Sequence, residues 1–189
     1  MPKVRVLTLS RQLGSGGDAI AQVLSERLGW RKLSREVIDR AARSSGAPLA
    51  ALAEIDELNL LDLRPSADSQ RAYRQKVEGI IWQAAREGQA VIVGRGGQMV
   101  LRNYPPALHI KIVAPPELRV WRLMSEQGID EASALNRLAA SDRSRAGYLR
   151  RLYGADWLSP QLYDLVINAS AKELDWAVDL ILHAVRTRA

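Results

Sequence analysis

Ser10, Arg11, Gln12, Leu13, Gly14, Ser15, Gly16, Gly17, Asp18 and Ala19 join an apolar, β-branched run, Val4 to Leu9, to an amphipathic helical pattern that reaches about Leu28. A glycine-rich turn between a strand and a helix suits the capture of phosphate. Backbone N–H groups at the start of the helix and the positive end of its dipole both point at the turn. Gly14, Gly16 and Gly17 let an anion come close to the backbone.

A P-loop of the pattern GxxxxGK[ST] has this layout, but the letters differ. Gly17 falls where the lysine belongs, Ala19 where the metal-side hydroxyl belongs, and Arg11 where the opening glycine belongs. A second glycine-rich turn, Gly94-Arg95-Gly96-Gly97, follows the apolar run Ala90–Val93. In an open parallel sheet, ligands collect at the carboxyl ends of the strands, where both turns fall. Each turn carries an arginine; a tight strand-to-helix reversal is the bland alternative for the second.

Arg40 lies on the helix that follows Ser34, where a solvated face is the plain expectation. Arg137, Arg143, Arg145, Arg150 and Arg151 cluster with Asp142 on a later helix. Arg143 and Arg145 diverge by about 200° on a helix, so they flank one ligand only if the helix breaks or one points elsewhere. His109 and His183 have no metal spacing and read as structural. Trp157 reads as loop packing, and Trp82, Trp121 and Trp176 as core. No aromatic residues interleave with the basic ones in the manner of a single-strand nucleic-acid platform.

The positioning elements alternate. Strands are expected at Val4–Leu9, Trp30–Leu33, Ala90–Val93, Ala107–Val113 and Tyr163–Asn168. Helices are expected at Ser15–Leu28, Ser34–Ser45, Ser66–Glu87, Gln98–Arg102, Glu117–Gln127, Glu131 to about Tyr153, and Glu173–Arg188. Leu49–Arg64 reads ambiguously. The alternation predicts an α/β fold, a three-layer α/β/α arrangement around a parallel sheet.

At 189 residues, one domain is the default. The net charge is +6 and arginine outnumbers lysine several-fold, which favours phosphate-bearing ligands. Without cysteine there is no disulfide, thiolate metal site or cysteine nucleophile. The N-terminus lacks signal-peptide architecture, and no apolar run approaches the ~18 residues of a membrane span. A cytoplasmic protein with no membrane partner is expected.

The segments SRQLGSGG, LSREVIDRAA, VIVGRGG, SDRSRAGYLRRLYG and YDLVINAS, in this order and at these spacings, resemble the cytidylate-kinase-like family of P-loop proteins. The resemblance covers nearly the whole chain. It implies a nucleoside-monophosphate-kinase type of fold in one domain, 1–189, with an acceptor-binding helical region at about 34–88 and a lid at about 130–160. It implies that Ser10, Arg11, Gly14, Ser15, Gly16, Gly17, Asp18 and Ala19 hold the phosphates of ATP. It aligns Arg40, Gly94, Arg95 and Gly96 with acceptor contacts, and Asp142 and Arg145 with the lid that closes over the transferring phosphate.

Phosphoryl transfer rests on in-line positioning and on cations around the moving group. An arginine aimed there is worth ~10³-fold or more in rate. Arg11 is the candidate to replace the missing lysine, aided by Arg143 and Arg145. Mg2+ would be held through water and the triphosphate. Asp18 is a distant acid for that ion, a repulsive neighbour of phosphate, or an early-helix acid favoured by the dipole. Ser10 and Ser15 are the hydroxyls nearest to replacing the one absent at position 19.

The leading expectation is transfer of the γ-phosphoryl of ATP to a CMP-like nucleoside monophosphate or another small phosphorylated acceptor. The alternative is a nucleotide or phosphate sensor that keeps the loop without the chemistry. Nucleic-acid binding rests on charge alone. Nucleotides are the expected partners, and the residues leave a homodimer open.

Overall fold

The computed structural model describes residues 3–44, 67–171 and 173–188. Among them five strands run parallel: β1 Val6–Arg11, β2 Arg31–Leu33, β3 Ala90–Val93, β4 Ala107–Val113 and β5 Leu165–Asn168. Their spatial order is β2-β3-β1-β4-β5. The helices are α1 Gly17–Leu28, α2 Arg35–Ser44, α3 Ala67–Glu87, α4 Gly97–Val100, α5 Pro116–Gln127, α6 Glu131–Tyr153 and α7 Asp175–Thr187. The expected three-layer α/β/α architecture is present.

Side chains alternate across each strand, and the alternation builds two cores. Leu7 and Leu9 of β1, Val91 and Val93 of β3, and Ile110 and Ile112 of β4 pack with α1 and α7. Val6, Ala90, Ile92 and Ala107 pack with α2, α3 and α6. Each fully buried Leu, Ile or Val contributes ~1.5–3 kcal/mol, so β1, sandwiched between the two cores, is anchored on both faces. On the second face the sheet turns polar toward its carboxyl end. The register sets Thr8 beside His109 and Ser10 beside Lys111, and all four are buried.

The boundaries of β1, α1 and β5 differ from the sequence expectation for local reasons. β1 runs on through Ser10 and Arg11 because these pair with Lys111 and Ile112. α1 starts at Gly17, since the Ser15 N–H and hydroxyl both donate to the Gln12 carbonyl, at 3.2 and 2.7 Å, and draw Ser15 into the turn. β5 starts at Leu165, because Pro160–Leu162 form a 3-10 turn. α6 begins at Glu131 as expected, where the Asp130 carboxylate accepts the Ser133 N–H at 2.8 Å.

Two expectations are corrected outright. Trp121 and Trp176 are not core: they are 48% and 42% exposed. Trp82 is half-buried against Tyr104, edge to face at 5.6 Å. The ambiguous stretch Leu49–Arg64 lies outside the described residues, and with it part of the expected region 34–88. No helix among the described residues is long and apolar enough to cross a membrane.

Candidate functional site

The first turn opens directly on α1. Gly16 sits at φ 81° before the helix, and no side chain caps it. The leading N–H groups of a helix have no partner within it, so those of α1 are available to an anion. The Ser15 hydroxyl is spent on Gln12 and is fully buried. Of the two serines considered as metal-side hydroxyls, Ser10 alone faces a cavity.

Arg11 links this turn to the second one. Its Nε donates to both carboxylate oxygens of Asp18, at 3.1 and 3.3 Å. Its Nη1 lies 3.0 Å from where a Cβ on Gly94 would be. Gly94 itself has φ 78°, and its N–H donates to the Leu9 carbonyl at 3.0 Å. Ser10, Arg11, Arg95, Arg145, Tyr148 and Trp157 are among the walls of a cavity of about 50 Å3 at the carboxyl ends of β1 and β3. Gly94 and Gly96 also line it. Gly14, Ser15, Gly16, Gly17, Asp18 and Ala19 do not, so Arg11 stands between the first turn and the cavity.

Arg95 adopts φ 51°, a left-handed conformation outside glycine. Its guanidinium is buried and grips Asp39 of α2 with two hydrogen bonds, Nε to Oδ1 at 2.7 Å and Nη2 to Oδ2. The Tyr73 hydroxyl donates to the same carboxylate at 3.0 Å. Burial pushes the Tyr73 phenol well above its usual range and Tyr148, whose ring lies 5.5 Å from the Arg95 guanidinium, up to about 12. Both phenols are therefore neutral donors around this ion pair.

The helix α6 does not break, and it separates the two arginines as helical geometry demands. Arg145 lines the cavity and donates to the Ser141 hydroxyl. Arg143 is exposed and lies outside the lining. Arg40 is likewise exposed on α2 and outside the lining. Its neighbour Asp39 reaches the site instead. Asp142 points to α5, where Arg119 Nη1 and Nη2 hold its two oxygens at 2.9 Å each.

Four buried residues of the site were missed at the sequence level. Asp39 was masked by Arg40 beside it. Arg119 and Arg122 are three apart on α5 and share a face; that spacing was the available signal. Arg119 Nε donates to the Leu13 carbonyl at 2.7 Å, and Arg122 reaches the Gly14 carbonyl at 3.3 Å and that of Ala171 at 2.6 Å. They fasten the first turn to α5 and to the chain after β5. Lys111 is the fourth, a lysine at an inward position of an apolar strand.

A parallel sheet whose first strand leads through a glycine-rich turn into an uncapped helix, with arginines converging from a second turn and a long helix, defines a kinase-type phosphate-binding fold. The chain belongs to the cytidylate kinase-like family, whose model matches residues 6–171. It is 31% identical over 173 residues to a cytidylate kinase of Pyrococcus horikoshii, covering 90% of this chain and 83% of that one. A protein of Eubacterium ventriosum known by crystal structure superposes with a TM-score of 0.79 at 22% identity, over 97% of this chain and 99% of that one. A shikimate kinase from Acinetobacter baumannii shares the fold with a TM-score of 0.56 at 14% identity, over 97% and 94% of the two chains.

Proposed function

We propose that this protein binds ATP at the amino end of α1 and transfers its γ-phosphoryl group to a CMP-like nucleoside monophosphate, or another small phosphorylated acceptor, in the adjoining cavity. The position of Arg11 carries the reading. It leans on Asp18 of the triphosphate turn and reaches Gly94 of the acceptor turn, where charge builds during transfer. Arg145 adds a second cation from α6, and family membership supports nucleotides as substrates. The cavity of about 50 Å3 is small against the roughly 300–1,000 Å3 of ligand pockets, so admitting an acceptor requires it to widen.

Mg2+ fits this site only in part. No group of three His, Cys, Asp or Glu side chains converges on a point among the described residues. Its ligands would be phosphate oxygens and water, with Ser10 and Asp18 nearby, and it would neutralise charge on the triphosphate.

Coupled ADP release, with ATP, Mg2+ and a panel of phosphorylated acceptors, tests the proposal. Turnover with CMP or a close analogue is expected; none with any acceptor at high protein concentration sinks it. One observation favours a second reading, a nucleotide sensor without turnover: Arg11 and Arg95 already hold aspartates. That reading expects ligand at ~100 times its Kd to add ~2.7 kcal/mol of stability with no ADP formed.

A further inference from the structure

Lys111 stands on β4 beside Ser10 of β1, facing the same side of the sheet. It is 2% exposed. Its Nζ donates to the Trp157 carbonyl at 2.5 Å and lies 3.9 and 5.0 Å from the ring centroids of Trp157 and Tyr163. No carboxylate lies within ion-pair distance among the described residues. A buried ammonium met by one carbonyl and two ring faces is costly to keep. A methionine would fill the same volume in this apolar strand at less cost.

What Lys111 holds is the segment between α6 and β5. The Tyr163 hydroxyl donates to the same Trp157 carbonyl at 3.0 Å. From the other end of Trp157, the indole N–H donates to the Ser10 hydroxyl oxygen at 2.9 Å. Ser10 and Trp157 both line the cavity beside Arg11. An indole N–H only donates, so Ser10 is the acceptor in that bond and its own proton is directed elsewhere. The contact from Ser10 to Tyr163 is 3.4 Å, long for two hydroxyls, and an anionic oxygen in the cavity would take the proton in preference.

We infer that Lys111 is a positioning residue: by clasping Trp157 it turns the Ser10 hydroxyl into a hydrogen-bond donor for a phosphoryl oxygen in the cavity. The ligand part of this rests on the reading of the cavity as a phosphorylated-acceptor site; the clasp does not. Burial pushes the Lys111 ammonium down to about 8. The charged groups acting on it are Asp142 and Arg145 of α6 and Asp156 of the loop, the aspartates favouring its charge and Arg145 opposing it. Tyr163 is pushed up to about 12 by burial, so it stays neutral while Lys111 titrates.

Two measurements separate the clasp from the ligand. In protein without nucleotide, the Trp157 indole N–H resonance, assigned by its loss in Trp157→Phe, should shift with a midpoint near pH 8 in wild type and not in Lys111→Met. A shift of equal size in both proteins, or none in wild type, overturns the clasp whatever the protein binds. Lys111→Met should unfold thermally no earlier than wild type at pH 7, since it sheds a buried charge. With CMP as probe in calorimetry at pH 7, Lys111→Met, Trp157→Phe and Ser10→Ala should each weaken binding about tenfold, one ordered hydrogen bond. Trp157→Phe keeps Lys111 and the carbonyl, so it decides the point even if the lysine variant folds poorly. Unchanged CMP affinity in all three overturns the role of Ser10. If wild type binds neither CMP nor inorganic phosphate, the acceptor reading fails and the indole titration still judges the clasp.

Discussion

The Cβ of Arg11 lies 2.4 Å from the point that a Cβ on Gly17 would occupy. The two positions are therefore exclusive: with Arg11 folded across the turn, residue 17 carries no side chain. A side chain at position 17, such as a P-loop lysine, is thus sterically incompatible with the side chain at position 11 in this conformation. Gly17→Ala should destabilise the protein by ~1–3 kcal/mol through overpacking. In an Arg11→Gly background, which removes that Cβ, the sign should reverse, because Gly17 is in a helix where alanine is favoured by ~1 kcal/mol. Urea unfolding of the four proteins measures this, and additive effects would disprove the steric exclusion. Arg11→Ala should also lose ATP affinity; retained affinity would show that the charge has not moved to Arg11.

Asp39 and Arg95 form a buried pair in which each justifies the other. Removing one partner leaves a buried charge unmet, at ~3–5 kcal/mol. Asp39→Ala is expected to cost that much in chemical denaturation. The Asp39→Ala/Arg95→Ala double variant should lose less than the sum of the two singles. If the losses add, the pair is not coupled.

Arg119 fastens the first turn through the Leu13 carbonyl and α6 through Asp142. Lysine cannot make the forked contact to both carboxylate oxygens and still reach Leu13. Arg119→Lys should therefore cost ~1–2 kcal/mol and speed amide hydrogen exchange at residues 14–17. Unaltered exchange there would mean the turn holds its shape without α5.

The sheet, its helices and both turns were legible because their signals are local. Ala90–Val93 and Ala107–Val113 declare themselves by composition alone, and the glycines mark where the chain reverses. The divergence of Arg143 and Arg145 followed from helical periodicity. The ion pairs were not legible, since the partners are far apart in sequence: Asp39 and Arg95, Arg119 and Asp142. Arg40 drew attention as the charged residue of its motif, whereas burial selects Asp39, whose side of α2 faces α3. Trp121 and Trp176 show the converse, apolar residues at helical spacing that stay nearly half exposed. In ALHIKIV the alternation of a strand puts His109 and Lys111 on one face, but only the neighbouring strand shows that Thr8 and Ser10 meet them.

His109 bears on acid stability. Its Nδ1 lies 2.8 Å from the Thr8 hydroxyl, and its backbone N–H donates to Asp164 at 2.7 Å. Burial lowers its pKa; Asp164 and the Leu101 carbonyl favour the charged ring, Arg188 opposes it, and burial prevails. The folded chain thus resists a proton that the unfolded chain accepts. The contribution of His109 to stability is whole above the ordinary histidine pKa of ~6.5 and declines as pH falls below it. The slope from this one group approaches ~1.4 kcal/mol per pH unit between the two pKa values. Urea midpoints at pH 7 and pH 5.5 should fall further for wild type than for His109→Asn, whose amide keeps a partner for Thr8 and does not titrate. Equal falls would place the acid sensitivity elsewhere in the chain.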